Sequence, residues 1–277
     1  MDRYVVVGNP VGHSKSPLIH TAFAQQTGQQ LEYSTLLSDI DCFTETMQEF
    51  FNSGGKGANV TVPFKQEACA LAKHLTLEAS TAGAVNTLYL DEQQHLCGHN
   101  TDGLGLVRDV LANHGGSLAG KQLLVLGAGG ATRGILQPFL AQKPASLFIA
   151  NRTVSKAEEL ASAFSALAEE AGVESLSGGG FDDLAGRQFD WVFNATSASL
   201  QGDLPPLPEG IVTQDTWCYD LMYSNEPTAF CQWAENSGAA NVMDGLGMLV
   251  EQAAESFLVW RGIRPETADI LARLRQS

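Results

Sequence analysis

A short apolar stretch that runs straight into a glycine-rich turn constrains the fold of this chain more than any other segment. Residues 121–134 read KQLLVLGAGGATRG, and Leu123–Leu126 has the composition of a buried strand. Gly127–Ala131 follows at once and leads into a segment suited to a helix. Small residues let a backbone approach a pyrophosphate, and a helix N-terminus offers free N–H groups and a positive dipole end. The segment therefore predicts a Rossmann-type dinucleotide site.

The glycine pattern of this turn is incomplete, because Thr132 stands where GxGxxG would place its third glycine. A tight strand-to-helix turn without a ligand is the alternative interpretation. The strand before the turn and the helix after it favour ligand binding. The predicted cofactor contacts in this turn are Gly127, Ala128, Gly129, Gly130 and Ala131.

The end of the next predicted strand, Ser146–Ala150, indicates which dinucleotide is bound. NAD-specific units carry an Asp or Glu there, about 20 residues after the glycines, for the ribose 2′-hydroxyl. This chain has Asn151, Arg152 and Thr153 instead, with Lys156 one turn later. A guanidinium can bind a 2′-phosphate bidentately, and cations at a helix start are otherwise unfavourable. The sequence therefore predicts NADP(H), with a solvated pair of charges as the alternative.

The rest of the chain alternates strand and helix patterns on both sides of this unit. A length of 277 residues favours two domains. Before residue 102 the pattern predicts a βαβ-rich domain with a largely parallel sheet, in which Val85–Leu90 begins a strand or hairpin. Ser16 is a possible N-cap of a helix at Pro17–Gln26. We expect an α/β protein of two domains.

Charge and cysteine content exclude several classes of function. A net charge of −15 repels phosphates of nucleic acids and anionic lipids, so neither is an expected partner. No apolar run approaches the roughly 18 residues of a membrane span, and the first residues lack the features of a secretory signal. Five cysteines in irregular positions favour free thiols and a cytoplasmic protein. His95, Cys97 and His99 alternate along a predicted strand, but a polar strand edge is favoured over a metal site.

Six segments in order along the chain resemble the shikimate dehydrogenase family. They are residues 8–17 (GNPVGHSKSP), 59–65 (NVTVPFK), 83–87 (GAVNT), 98–103 (GHNTDG), 194–197 (NATS) and 244–252 (DGLGMLVEQ). The resemblance implies NADPH-dependent, reversible reduction of 3-dehydroshikimate to shikimate in aromatic amino-acid biosynthesis. It also implies an inserted NADP domain at 102–241, and a substrate domain made of 1–101 and 242–277 whose last helices return to it.

The resemblance assigns roles to individual residues. Lys65 and Asp102 are the implied catalytic pair, although which of them does more of the proton handling stays open, and a structural ion pair is the alternative. Ser14 and Ser16 are expected to bind the substrate carboxylate, or else only to cap a helix. The implied contacts to the ring hydroxyls are Thr61, Asn86, Asp102, Tyr223 and Gln252. Further implied cofactor contacts are Asn151, Arg152, Thr153, Thr196 and Gly245, with Leu221 where the family often has methionine.

Two other functions are compatible with the same motifs. A broader quinate/shikimate dehydrogenase differs in substrate range, and a nucleotide-binding sensor on this scaffold would lack turnover. The presence of both Lys65 and Asp102 favours an enzyme. The sequence leaves the oligomeric state open between monomer and homodimer.

Overall fold

The computed structural model describes residues 1–276, which divide into two compact units. The first unit is Met1–Gly105 together with the chain from Leu249 onward, and the second is Leu106–Met248. The strands are β1 Asp2–Gly8, β2 Leu31–Leu37, β3 Gly55–Val60, β4 His74–Leu75, β5 Thr87–Leu90, β6 Leu96–His99, β7 Gln122–Leu126, β8 Ser146–Ala150, β9 Ser175–Gly179, β10 Trp191–Asn194, β11 Trp217–Asp220 and β12 Asn241–Met243. The helices are α1 Ser16–Thr27, α2 Phe43–Asn52, α3 Lys65–Leu71, α4 Leu77–Ala82, α5 Asp102–Arg108, α6 Gly130–Ala141, α7 Val154–Ala163, α8 Ser165–Ala171, α9 Ala229–Asn236, α10 Leu246–Arg261 and α11 Ala268–Arg275.

The sheet of the first unit has the strand order β2-β1-β3-β5-β6-β4. Strands β2 and β3 lie parallel to β1, whereas β5 is antiparallel to both β3 and β6. The sheet is thus mixed rather than largely parallel, because β5 and β6 form a hairpin and need no helical crossover. The hairpin predicted as one possibility from Val85 onward is confirmed.

A close approach between β3 and α10 organises the core on one side of this sheet. A Cβ added at Gly57 would lie 2.5 Å from Nε1 of Trp260, so only glycine leaves room for the indole. The same Nε1 donates a hydrogen bond to the carbonyl oxygen of Leu88 over 3.1 Å. The ring of Trp260 also packs against Tyr4 at a centroid distance of 4.8 Å. These contacts attach α10 to the first unit.

The sheet of the second unit is entirely parallel, in the order β12-β11-β10-β7-β8-β9. This is the 3-2-1-4-5-6 arrangement of a Rossmann fold, and the α/β fold class is confirmed. The strand order reverses between β7 and β10, and ligands of such sheets bind at the carboxyl ends of the strands at that point. The residues after β7 and after β10 therefore mark the expected ligand position.

Several element boundaries differ from those predicted. Helix α1 begins at Ser16 itself, and Ser16 is not its N-cap: the Oγ of Ser14 accepts the Ser16 N–H over 3.2 Å. Helices α7 and α8 are separate, because Phe164 leaves the helical conformation and is buried between them. None of the helices within residues 1–276 is both long and apolar enough to cross a lipid bilayer.

Candidate active site

Lys65 and Asp102 form an ion pair in the first unit, with Nζ of the lysine 2.5 Å from Oδ2 of the aspartate. Each is the first residue of a short helix, α3 and α5 respectively. Their side chains are 32% and 17% exposed, so the pair is sheltered but accessible. An accessible ammonium beside a carboxylate can stabilise negative charge and donate a proton.

Asn86 holds the second oxygen of the carboxylate. Its Nδ2 donates to Oδ1 of Asp102 over 2.8 Å and also lies 3.2 Å from Oε1 of Gln252. Its Oδ1 accepts the backbone N–H of Thr101 over 2.9 Å. The Asn86 side chain is buried and engaged with protein groups at both ends. Its position therefore determines the orientation of Asp102.

A layer of buried polar side chains lies behind Asn86. The hydroxyl of Tyr33 donates to Oδ1 of Asn59 over 2.7 Å, and Nδ2 of Asn59 donates to Oγ of Ser256 over 3.0 Å. Ser256 in turn lies 2.7 Å from Oγ1 of Thr87. Burial raises the pKa of Tyr33 well above its usual value, although a hydrogen bond with Ser16 opposes the shift. Tyr33 is therefore a neutral hydrogen-bonding group that links Ser16 to this layer.

The remaining predicted substrate residues of this unit lie where strands β1 and β3 end. The N–H of Thr61 donates to the carbonyl of Val7 over 2.9 Å. A Cβ on Gly8 would come within 2.4 Å of Cγ2 of Thr61, so the glycine permits this contact. Ser14 and Ser16 lie on the approach to α1, joined by the Ser14 hydrogen bond described above. The backbone where β1 and β3 end therefore fixes Thr61, whereas Ser14 lies in the turn before α1 and Ser16 begins that helix.

The structure thus brings together part of the predicted set. Lys65, Asp102, Asn86 and Gln252 are linked by hydrogen bonds. Ser16 connects to Asn86 indirectly, through Tyr33 and Asn59. Tyr223 belongs to the second unit. Burial, with a smaller contribution from Asp244, raises the pKa of Tyr223. A substrate contact by Tyr223 stays a prediction.

Residue-by-residue interpretation of the sequence missed the supporting residues Ser256, Thr101 and Tyr33. Ser256 lies four residues after Gln252, so both face the same side of α10, and this helical spacing is a signal that could have identified it. Thr101 directly precedes Asp102 within a segment that the sequence already marked. Tyr33 carries no comparable signal, because its role depends on packing against Asn59.

In the second unit, the glycine turn has the geometry that a pyrophosphate requires. Gly127 has a φ of +102°, and a Cβ there would lie 3.0 Å from Cγ2 of Thr196. A Cβ on Gly129 or Gly130 would meet nothing within 4 Å. The first N–H groups of α6 have no intrahelical acceptor, and such groups are available to an anionic ligand. Ala128 and Ala131 pack against the core of the unit.

Thr132 explains the incomplete glycine pattern. Its side chain is buried, and its Oγ1 donates to the carbonyl oxygen of Gly127 over 2.7 Å. The hydroxyl therefore holds the turn from inside the unit. A glycine at this position is not required for the strand and helix to pack.

The segment that follows β8 carries two positively charged side chains, Arg152 and Lys156. The N–H of Asn151 donates to the carbonyl of Gly179 over 3.0 Å, and its Nδ2 donates to the carbonyl of Thr153 over 2.9 Å. Arg152 and Lys156 are exposed, and within residues 1–276 neither makes a salt bridge. Two free cations at the start of α7 fit a phosphate group.

Hydrogen bonds between buried polar side chains connect the ends of β10 and β11 to the loops that follow them. Oδ1 of Asn194 accepts the hydroxyl of Thr196 over 2.7 Å, and its Nδ2 donates to Asp220 over 3.0 Å. Burial raises the pKa of Asp220, against hydrogen bonds of which the one from Thr228 is the largest. Thr196 is therefore held at the end of β10, next to Gly127.

Gly245 and Leu221 approach each other through their backbones. A Cβ on Gly245 would lie 2.1 Å from the carbonyl oxygen of Leu221, which excludes any larger residue there. The side chain of Leu221 is buried in the core of the unit, and Met248 packs against the same core. Contacts of Leu221 and Gly245 with a cofactor stay predictions.

A Rossmann unit with a glycine turn and free cations, in one chain with a lysine–aspartate pair, defines a nicotinamide-dependent dehydrogenase. The family models that match describe a shikimate dehydrogenase substrate binding domain over residues 6–88, a shikimate/quinate 5-dehydrogenase over 109–201 and a shikimate 5′-dehydrogenase C-terminal domain over 245–275. The chain belongs to the shikimate dehydrogenase family, which confirms the resemblance found in the sequence.

Known relatives match this chain along its whole length. The NADP(+) shikimate dehydrogenase of Marinobacter nauticus is 55% identical over 274 residues, covering 99% of this chain and 98% of the relative. An Ael1 enzyme from Pseudomonas putida has a TM-score of 0.91 and 44% identity, covering 99% and 98% of the two chains. The shikimate 5-dehydrogenase of Thermus thermophilus, solved with NADP(H) and shikimate, has a TM-score of 0.83 and 30% identity, covering 100% and 99%.

Proposed function

We propose that this chain catalyses the reversible, NADP-dependent reduction of 3-dehydroshikimate to shikimate. The ion pair of Lys65 and Asp102 carries the proposal, because reduction of a ketone needs a proton donor at the oxygen that becomes a hydroxyl. Full-length relatives with this activity in their names support it. A triol substrate also needs several donors and acceptors, and the first unit offers both kinds.

The second unit supplies the cofactor site. The glycine turn binds the pyrophosphate through N–H groups of α6, and Arg152 with Lys156 binds the 2′-phosphate. Asn151, Thr153, Thr196, Leu221 and Gly245 are the further contacts we assign to it. When bound, NADPH supplies the hydride that is added to the carbonyl carbon.

Lys65 acts as the proton donor. As the carbonyl oxygen gains negative charge, an N–H bond of the ammonium breaks and an O–H bond forms on the substrate. Solvent then returns a proton to the amine. Asp102 has both oxygens engaged, one by Lys65 and one by Asn86, so it orients Lys65 toward the substrate. In the oxidative direction the neutral amine accepts the proton from the hydroxyl.

The other groups of the first unit hold the substrate. The hydroxyls of Ser14 and Ser16 lie at the start of α1, where the dipole also favours the substrate carboxylate. Thr61, Asp102 and Gln252 are half-buried and bind ring hydroxyls. Asn86 is buried more deeply, and we assign it a substrate contact next to Asp102. Tyr223, which belongs to the second unit, is the remaining substrate contact that we assign.

A single coupled assay tests the function. We expect NADPH absorbance to fall when 3-dehydroshikimate is added, and Lys65→Ala to lower kcat by about 100-fold or more. Binding of NADPH, followed by fluorescence, should be unchanged, because Lys65 belongs to the unit without the glycine turn. The matched control is Lys56→Ala, which removes an exposed lysine of the same unit. Full turnover of Lys65→Ala would refute the acid role.

A quinate/shikimate dehydrogenase is the second candidate, favoured by the wording of the family model that matches residues 109–201. The ratio of kcat/KM for shikimate and quinate separates the two substrate ranges. Intact NADPH binding without turnover of either acid would instead support a sensor. Sedimentation of the full chain distinguishes the monomer from the homodimer.

A further inference from the structure

We propose a divalent transition-metal site at the edge of the first unit's sheet, formed by His74, Asp91 and His95. Each of the three offers one ligand atom, and these atoms all lie within 4.8 Å of one another. The set takes no part in the dehydrogenase site described above. Two imidazoles and one carboxylate are ligands typical of Zn²⁺ and of chemically similar ions such as Co²⁺.

The hairpin between β5 and β6 orders two of the ligands. Oδ1 of Asp91 accepts the backbone N–H groups of Gln93 and His95 over 2.9 Å and 2.8 Å. This arrangement leaves Oδ2 directed at the imidazole, 3.4 Å from Nδ1 of His95. Tetrahedral zinc with bonds near 2.0 Å separates its ligand atoms by about 3.3 Å. Asp91 and His95 therefore already have the spacing of two zinc ligands.

The third ligand comes from a different strand. His74 lies in β4, which runs parallel to β6 and places His74 opposite Cys97. The ring of His74 lies edge-on to that of His95, at a centroid distance of 5.4 Å. The backbone N–H of Lys73 donates to the carbonyl of Leu96 over 2.7 Å and holds β4 in this register. A metal ion therefore has to bring ligand atoms that lie within 4.8 Å of one another to a spacing of about 3.3 Å.

His95, Cys97 and His99, which alternate along residues 95–99, do not form this site together. Cys97 is buried, and its thiol donates to the carbonyl of His95. His99 lies 3.3 Å from Oγ1 of Thr76 through its Nδ1. Within residues 1–276, His74, Asp91 and His95 are the one group of three such side chains that converges.

The surroundings favour capture of a cation. The chain carries a net charge of −15, and the side chains of Asp91 and His95 are accessible at 23% and 38% exposure. Three protein ligands leave a fourth position to water. A bound ion joins the edge strand β4 to the hairpin, so binding to the folded state stabilises the first unit.

Metal titration of the chelator-treated full-length protein tests the site. We expect one Co²⁺ per chain with the visible absorption of a tetrahedral complex, displaced by Zn²⁺, and a higher Tm with Zn²⁺ present. Asp91→Asn keeps the oxygen that accepts the two backbone N–H groups and replaces the other, so the hairpin is preserved. Asp91→Asn and His74→Ala should each weaken binding about tenfold or more and abolish the Tm shift.

Glu92→Gln is the matched control, because it removes a neighbouring exposed carboxylate from the same turn. We expect its affinity for Co²⁺ and its Tm shift to equal those of the wild type. Equal binding by the wild type, Asp91→Asn and His74→Ala, or the absence of stoichiometric binding by the wild type, would overturn the proposal. Dehydrogenase turnover of metal-free Asp91→Asn verifies that the variant is folded.

Discussion

Asn86 donates a side-chain N–H to Oδ1 of Asp102 over 2.8 Å, on the oxygen that Lys65 leaves unused. The carboxylate is therefore held from two sides, by a buried amide and by a half-buried ammonium. Because the amide is supported in turn by Thr101 and Gln252, the orientation of the ion pair depends on groups that lie behind it.

Removal of this amide should disturb catalysis more than cofactor binding. Asn86→Ala frees Asp102 to rotate, and a misplacement of about 1 Å in a catalytic group costs about 100-fold in rate. We therefore expect kcat to fall by about that factor while the Kd for NADPH is unchanged. The variant also loses about 1–3 kcal/mol of stability, because buried partners are left unsatisfied. The exposed Gln93→Ala is the control, and a wild-type kcat in Asn86→Ala would contradict the orienting role.

Arg152 should distinguish the two nicotinamide cofactors. Hydrogen bonds to charged groups contribute about 1.5–3 kcal/mol, so Arg152→Ala should raise the KM for NADPH by roughly 10- to 100-fold. The KM for NADH should change little, because NADH lacks the 2′-phosphate. Steady-state kinetics with both cofactors measures this difference, with the exposed Arg273→Ala as control. An equal loss with NADH and NADPH would show that Arg152 does not contact the extra phosphate.

The glycine turn offers a pair of substitutions that separate folding from binding. Gly127→Ala places a side chain at a φ of +102° and against Thr196, which should cost about 1–3 kcal/mol in urea unfolding. Gly129→Ala meets no protein atom, so its stability should stay within about 0.5 kcal/mol of the wild type. Its methyl group occupies the space of the ligand, and the Kd for NADPH should rise about tenfold or more. Wild-type cofactor affinity in Gly129→Ala would mean that the dinucleotide lies elsewhere.

His20 should make the protein sensitive to mild acid. It stacks on Tyr33 at 4.3 Å, and burial lowers its pKa to about 3. Below about pH 6.5 the His20 imidazole binds a proton in the unfolded chain but stays neutral in the folded chain. The free energy of unfolding therefore falls as the pH falls through that range. Each pH unit below 6.5 costs about 1.4 kcal/mol, which gives about 2 kcal/mol at about pH 5.

His20→Phe tests this contribution. The loss of unfolding free energy between about pH 7.5 and about pH 5 should be smaller by about 2 kcal/mol than in the wild type. The exposed His13→Ala serves as the control and should keep the wild-type pH dependence. If His20→Phe lost as much unfolding free energy as the wild type between these two pH values, groups other than His20 would be responsible for the loss.

The sequence predicted the sheet of the second unit through its Rossmann-type turn, but it did not predict the mixed sheet of the first. Strands β7 and β8 are compact apolar runs that a local pattern reveals. Strand β9 escaped prediction because it ends in glycines, and these are required by packing: a Cβ on Gly178 would lie 2.2 Å from the carbonyl oxygen of Ala157. In the first unit, the antiparallel insertion of β5 depends on a hairpin rather than on local composition.

The residues of the candidate site also divide into those that sequence comparison identifies and those that only the folded structure reveals. Lys65 and Asp102 were accessible to sequence comparison, since each lies in a recognisable segment. The support from Ser256 was not, because its contacts with Asn59 and Thr87 join residues that are far apart in the chain. Such contacts arise only when α10 packs on the first unit. Of the proposed metal ligands, Asp91 lies four residues from His95 in the same turn, whereas only the pairing of β4 with β6 brings His74 to them.

The saturation of the Asn86 side chain bears on attempts to alter this protein by directed evolution. Its amide donates to Thr101 and Asp102 and accepts from Thr87 and Thr101, so a substitution at this position breaks several buried interactions at once. Within residues 1–276, no hydrogen bond with another protein group engages the side chain of Thr61, whereas the Ser14 hydroxyl accepts the Ser16 N–H at the start of α1. A mutant library aimed at other hydroxy acids should diversify position 61 first and leave the amide and its neighbours untouched.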